Sequence, residues 1–220
     1  GTVTAGSVVM PVNYKVYEDF THFGASEVYG WTVSEGVNSS NELVLANNSS
    51  ARKSFDGANG KVAAETYFIL PDGGEFSYSL LSSGKTAVVF DSKDGKFRAN
   101  GKEVYTFTKN MWYRLRIAAD TDNGTADIYL NGRVIANVPL SASGSIDAFE
   151  VKTANNTAKF DNMNVFELVE HDDYVPEPTA RANYDDYAVG VNVCSLWRNG
   201  DHYGWACITP YDEPRPVLGY

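Results

Sequence analysis

Hydrophobic and polar residues alternate between positions 112 and 140 in three short runs, 112–119, 126–130 and 133–139, separated by Asn123-Gly124 and Asn131-Gly132. Successive side chains of a strand point to opposite sides of a sheet, so each run predicts a strand with one buried and one solvated face. The residues predicted to face the core are Tyr113, Leu115, Ile117, Ile128 and Leu130. The residues predicted to face solvent are Trp112, Arg114, Arg116, Asp127 and Tyr129.

The same arrangement recurs from residue 8 to residue 168, where glycine-containing turn sequences separate short apolar or alternating runs. These turn sequences are Asp56-Gly57, Asn59-Gly60, Asp72-Gly73-Gly74, Asp94-Gly95, Asn100-Gly101, Asn123-Gly124 and Asn131-Gly132. They supply the positive φ that tight hairpins need, and no long period of 3.6 residues interrupts them. The pattern predicts an all-β fold, an antiparallel two-sheet sandwich, over residues 1–170.

The pattern changes after Glu170. Residues 171–186 contain two prolines and many acids, and we interpret them as a linker or extended strap. The apolar run that follows is typical of a buried strand and predicts a fragment of a second domain at 187–220. Cys194 and Cys207 lie in that fragment and could form a disulfide if the protein is exported.

Composition excludes some partners. The formal net charge is −10 and the sequence pI is about 4.7, so the chain repels phosphate backbones, and nucleic acid is a poor partner. No apolar run approaches the length of a membrane-spanning helix, and we expect a monomer with no membrane span. The 14 tyrosines suit a sheet face that is half wet.

Residues 14–168 resemble the concanavalin A-like, laminin-G-like jelly rolls attached to secreted bacterial carbohydrate-active enzymes. The resemblance rests on five segments: YEDF at 17–20, Gly30-Trp31, WYRLRI at 112–117, ADIYLNG at 126–132 and FDNMNVF at 160–166. Residues 187–220, with VGVNVCSLW, GDHYGW and PRPVLGY, are similar to the start of barrels related to glycoside hydrolase family 99 (the WbsX-like group). The resemblance implies a secreted or cell-surface modular glycosidase whose catalytic carboxylates lie beyond residue 220, so this chain would hold no catalytic residue.

The candidate binding site is the predicted solvated face. The run at 61–70 places its apolar set toward the core, which brings Glu65 and Tyr67 to the same face as the central hairpin. Sugars bind to aromatic planes flanked by charged groups with paired hydrogen bonds. The predicted carbohydrate-binding residues are Glu65, Tyr67, Arg114, Arg116, Asp127 and Tyr129. The alternative is that the charged members form a solvated cross-strand ion-pair network.

Several further alternatives stay open. The domain could be a structural spacer, or a concanavalin-like glycanase that uses Glu65 and Asp127 as its carboxylate pair. No cofactor is expected, although two calcium sites are conceivable. One is the acidic loop 120–124, which otherwise predicts a hairpin turn. The resemblance suggests the other, where Glu18 or Asp19 would meet Asp161; their alternative role is to cap turns.

Overall fold

The computed structural model of the protein describes residues 6–24 and 26–174, with side chains described between Pro11 and Val169. Most of the predicted linker, the predicted barrel fragment at 187–220 and the pair Cys194 and Cys207 lie outside the described residues. Among the described residues, no helix is long and apolar enough to cross a bilayer.

The described chain is built from β-strands joined by short turns. The strands are β1 (Gly6–Glu18), β2 (Thr32–Val33), β3 (Val37–Ser39), β4 (Leu43–Leu45), β5 (Ser50–Ala58), β6 (Lys61–Ile69), β7 (Glu75–Ser82), β8 (Lys85–Lys93), β9 (Lys96–Ala99), β10 (Lys102–Thr106), β11 (Trp112–Asp120), β12 (Thr125–Leu130), β13 (Arg133–Pro139), β14 (Ile146–Ala154) and β15 (Ala158–Tyr174).

The strands form two antiparallel sheets. Sheet A runs in the order β13-β12-β11-β6-β15-β4-β3, and β1 pairs with the second half of β15. Sheet B runs in the order β10-β9-β8-β7-β14-β5-β2. The prediction of an all-β, two-sheet antiparallel sandwich is therefore confirmed.

The core between the sheets is rich in aromatic rings. The ring of Phe68, on the central strand β6, lies 4.7 Å from Phe76, 5.5 Å from Phe97 and 5.7 Å from Tyr113, measured between centroids. Edge-to-face and offset pairs of this kind add to the free energy gained by burying the rings. The residues predicted to face the core, including Leu115, are all buried.

Most of the predicted turns are confirmed by positive φ angles, such as those of Asn131 and Gly132 at 50° and 80°. The turn predicted at Asp56-Gly57 is wrong, because both residues lie inside β5. Gly57 serves a different purpose there: a Cβ at this position would lie 2.7 Å from the Ser145 hydroxyl. The glycine permits a close approach of two chain segments and makes no turn.

The ends of several strands differ from the predicted ones. The sequence pattern predicts a first strand at Tyr14–Phe20, whereas β1 begins earlier, at Gly6, and ends at Glu18. The short strands β2 and β3 carry no pattern long enough to predict. β15 continues to Tyr174, so residues 171–174 of the segment assigned to the linker are paired with β1. Long-range pairing, which a local pattern does not contain, extends both strands.

Candidate functional site

The outer surface of sheet A, which we call the A face, carries all six predicted binding residues. Arg116 of β11 lies directly opposite Glu65 of β6 on one side and Tyr129 of β12 on the other. Arg114 lies opposite Tyr67 in the adjacent pair of the same strands. Directly paired residues in an antiparallel sheet share a face, so the structure brings these side chains together. Their role in binding stays a prediction.

Asp127, the sixth residue, lies at the edge of this group. It pairs with Ala118, two positions along β11 from Arg116, and its carboxylate accepts a hydrogen bond of 2.7 Å from the Asn137 side chain. No arginine lies within ion-pair distance of it among the described residues. Asp127 therefore belongs to the face but not to its charged centre.

Two arginines share one carboxylate at the centre of the face. The Arg114 Nη2 donates to Glu65 Oε1 at 2.9 Å, and the Arg116 Nε donates to Glu65 Oε2 at 2.7 Å. The predicted ion-pair alternative is thus correct for these three residues as a description of the geometry. An ion-pair network and a binding surface are compatible, since half-exposed guanidinium groups still present donors to solvent.

The register places two tyrosines at the ends of one row across the strands. The row consists of Tyr17, Asn164, Glu65, Arg116 and Tyr129, on β1, β15, β6, β11 and β12. Four interstrand spacings of ~4.8 Å separate the Cα atoms of its ends by about 19 Å. The row is therefore long enough to contact a chain of several sugar residues laid across the strands.

A shallow depression lies beside the charged centre, and of its lining residues the predicted site contains Tyr67 alone. Its lining consists of Tyr67, Trp112, Asp161 and Asn162. Both rings are exposed by about two fifths. Trp112 lies two positions before Arg114 on the same strand, and both were predicted to face solvent. This shared side was the signal that could have placed Trp112 in the predicted site. Half-exposed rings beside a carboxylate and an amide can stack on a sugar ring and hydrogen-bond its hydroxyl groups.

Asp161 is the charged group of this depression. Burial raises its pKa above the ordinary value of 3.8, and the negative charges of Glu42 and Asp19 act in the same direction. A hydrogen bond of 2.7 Å from the Asn162 backbone N–H opposes the shift. Asn162 has a φ of 49° and lies in a bulge of β15, which directs this amide and carboxylate into the depression.

A second aromatic cluster, also absent from the predicted site, adjoins the centre on β1 and β15. The guanidinium carbon of Arg116 lies 5.6 Å from the ring centroid of Phe166. Tyr14 also packs on Phe166, with 5.2 Å between the ring centroids, and its ring lies 6.0 Å from that of Tyr17. Tyr14 and Tyr17 are more than half exposed, whereas Phe166 is buried beneath its neighbours. The A face thus has exposed rings on both sides of the arginines.

The outer surface of sheet B, the B face, is different. Its central positions carry Ser77 and Ser79 and one-to-one ion pairs, such as Arg98 with Asp91 at 2.6 Å. Among the described residues, the other exposed aromatic side chains are Tyr29, in a loop, and Tyr105, whose ring packs on the core residue Phe97. Exposed rings therefore cluster on the A face of the sandwich.

The loop at 120–124 is a hairpin turn. Asp120 ends β11, and its carboxylate accepts hydrogen bonds from the backbone N–H groups of Asp122 and Asn123 at 3.1 and 2.9 Å. The hydrogen bond from the Asn123 backbone N–H is the main reason why the pKa of Asp120 lies below its ordinary value of 3.8. The turn itself engages the Asp120 carboxylate, and β11 and β12 pair on either side of the loop, so the hairpin prediction is confirmed.

The second conceivable calcium site is also made of turn-capping groups. The Glu18 carboxylate accepts the Phe20 N–H at 2.9 Å, and the Asp19 carboxylate accepts the Thr21 N–H at 3.0 Å. Within residues 6–24 and 26–174, no three His, Cys, Asp or Glu side chains converge in a way that could hold a metal ion. The geometry favours capping for both residues.

Solved structures share this fold at low sequence identity. A sialidase superposes over 70% of this chain with a TM-score of 0.62 and 11% identity, and this chain spans 19% of the length of that enzyme. The T. cruzi calreticulin globular domain matches over 70% of this chain and 87% of its own, with a TM-score of 0.50 and 11% identity. A carbohydrate binding module, CBM66 from Bacillus subtilis, matches over 64% and 98%, with a TM-score of 0.47 and 17% identity.

Likeness at such identities shows the fold alone. No family model and no curated protein sequence matches the chain.

Proposed function

We propose that the A face binds a polysaccharide or glycan chain without catalysing its cleavage. The observation that carries the proposal is the asymmetry between the two outer faces. The A face places exposed rings on both sides of half-exposed guanidinium groups, whereas the B face presents serines and one-to-one ion pairs. Rings that cover the C–H faces of a sugar, next to forked donors for its hydroxyl groups, provide the two contacts that glycan binding needs.

The depression formed by Tyr67 and Trp112 is the proposed first contact. Both rings are open to solvent, and Asp161 and Asn162 beside them supply acceptors and donors for hydroxyl groups. Tyr17 and Tyr129 mark the ends of the longer row across the sheet. We therefore propose a shallow, extended site that contacts the middle of a chain.

Catalysis by Glu65 and Asp127 is the weaker alternative. A glycosidase needs one carboxyl group that delivers a proton and a second that acts as base or nucleophile. Both oxygens of Glu65 accept hydrogen bonds from arginine, and Asp127 is held by Asn137. Neither carboxyl group is placed to deliver a proton to a glycosidic bond.

The role in a larger protein is part of the same proposal. We propose that the domain belongs to a secreted or cell-surface glycoside hydrolase and keeps an attached catalytic domain near its substrate. Binding of this kind raises the effective concentration of substrate without adding chemistry. A passive spacer would need no exposed rings, and these rings favour the binding role.

The test is a glycan array probed with the full 220-residue chain, followed by isothermal titration calorimetry on the glycans that bind. We expect binding that is lost in Tyr67→Ala and retained in Tyr105→Ala, which removes an equally exposed tyrosine ring from sheet B. Absence of binding to every glycan, or equal losses in both variants, would refute the proposal. Release of reducing ends that depends on Glu65 would favour the glycanase instead.

A further inference from the structure

The charged centre of the A face is unbalanced. Glu65 accepts from two guanidinium groups, one on each carboxylate oxygen, at 2.9 and 2.7 Å. The other ion pairs of the described side chains join one cation to one anion, as Arg98 and Asp91 do at 2.6 Å. One carboxylate cannot neutralise two guanidinium groups, so the centre has one positive charge in excess.

This excess charge is accessible from solvent. The side chains of Arg114 and Arg116 are 42% and 32% exposed, whereas that of Glu65 is 13% exposed. Each guanidinium group has five N–H donors in a planar fork, and each arginine donates one of them to Glu65. Two further carboxylates lie near the centre and have other partners: Asp127 accepts from Asn137, and Asp161, in the same row as Arg114 and Tyr67, accepts from the Asn162 backbone N–H.

A planar fork of donors matches the two oxygens of a carboxylate better than it matches a single hydroxyl group. A site for neutral sugars needs hydrogen-bond donors but no net positive charge. The formal charge of the whole chain is −10, which disfavours anionic ligands at long range, so local positive charge on this face matters. At physiological ionic strength this long-range repulsion is screened within about 8 Å.

We propose that the A face recognises a carboxylate-bearing glycan, with Arg114 and Arg116 as the residues that bind the sugar carboxylate. This inference rests on the proposed function, because it assigns a ligand class to the same site. Glu65 orients the two guanidinium groups from beneath and leaves their outer edges to the ligand. The rings of Tyr67 and Trp112 contact the sugar next to the one that carries the charge.

The deciding experiment is a comparison of matched ligands by calorimetry with the full chain. The probes are oligogalacturonate, oligomannuronate and hyaluronan hexamers, sialyllactose, and the carboxyl-reduced form of each. We expect at least one acidic probe to bind at least tenfold more tightly than its reduced form, about 1.4 kcal/mol. Equal affinity of every acidic probe and its reduced form, or binding of neutral glycans only, overturns this inference and leaves the proposed function standing. Absence of binding to any glycan overturns both.

Variants distinguish a specific role of the A-face arginines from the effect of losing any positive charge on the surface. Arg114→Gln should weaken binding of the acidic probe at least tenfold more than binding of its reduced form, while Arg98→Gln on the B face changes neither. An equal loss for the acidic probe and its reduced form in Arg114→Gln, or an acidic probe that Arg114→Gln binds as tightly as the unaltered chain, would overturn the assignment.

Discussion

Removal of the Trp112 ring offers a quantitative test of the depression on the A face. Trp112 is 41% exposed, which is about 100 Å² if a free ring presents roughly 250 Å². A sugar that stacks on one side would cover about half of that area, ~50 Å². At ~25 cal/mol per Å², this burial contributes about 1.3 kcal/mol to binding.

Trp112→Ala should therefore raise the Kd about tenfold, since ~1.4 kcal/mol corresponds to one power of ten. The measurement is a calorimetric titration of the full chain with the best glycan from the array. The control is Tyr105→Ala, because Tyr105 is 42% exposed but lies on β10 of the opposite sheet. Its loss removes a similar exposed area and should leave the Kd unchanged.

Two results would contradict this reasoning. An unchanged Kd in Trp112→Ala would mean that the ring does not contact the ligand. Equal weakening in Trp112→Ala and Tyr105→Ala, with similar shifts in melting temperature, would attribute the effect to the fold. Tyr67→Ala alone and together with Trp112→Ala gives a further check: two rings that line one depression should show non-additive losses.

Three other predictions follow from the same geometry. Tyr17→Ala should weaken binding of long oligosaccharides several-fold and leave binding of disaccharides unchanged. Calorimetric titrations with oligosaccharides of increasing length check this. An equal effect at every length would contradict binding of the chain along the row of residues across the strands. Leu115→Ala should lower the free energy of unfolding by about 2–5 kcal/mol in urea titrations, against less than about 0.5 for the exposed Val134→Ala, since only the former leaves a core cavity. The raised pKa of Asp161 means that the folded state holds this proton more tightly than the unfolded state, so this contribution to stability is lost as pH rises from about 3.8 through the raised value. Asp161→Asn should therefore gain in melting temperature relative to the unaltered chain as pH increases. Asp120→Asn should lose melting temperature over the same pH change. The reason is that the pKa of Asp120 is lowered, so the ionised Asp120 carboxylate stabilises the fold at pH values above its ordinary pKa.

Alternation within single strands made the central part of the A face predictable. The parity of β11 and β12 is regular, with a buried residue at every second position, and β6 departs from it only at Ala63 and Ile69, which are buried on the side of Glu65 and Tyr67. Arg116 and Tyr129 belong to consecutive strands joined by a tight turn, so their pairing is local. A local pattern with a short connection is the case in which sequence reasoning is most reliable.

β15 shows why the rest of the site could not be predicted in this way. Phe160 and Met163 both face the core although they lie three positions apart, because a bulge between Asp161 and Asn164 shifts the register. After the bulge Phe166 points to the outer face, where an apolar residue would not be expected. The only residue type in this segment that favours a bulge is the asparagine at 162, which has a positive φ in the structure.

The position of β1 is a second example. Tyr17 reaches the row of Glu65 and Arg116 only because β1 pairs with β15 and β15 pairs with β6. Both pairings join strands that are far apart in sequence, and their register depends on the packing of the whole sheet. Single-strand alternation predicts which side a residue faces but not which residues become its neighbours.

The unexpected Phe166 explains how the arginines are held ready for a ligand. Arg116 is restrained from two directions, by Glu65 through its Nε and by the ring of Phe166 below its guanidinium group, and Tyr14 covers the other part of that ring. A free arginine side chain loses up to ~2 kcal/mol of rotamer entropy when it is fixed. Because folding already fixes Arg116, ligand binding does not incur that cost again, and a shallow site with few contacts can still bind. Phe166→Ala should therefore weaken binding of the acidic probe although Phe166 itself is buried and cannot touch a glycan.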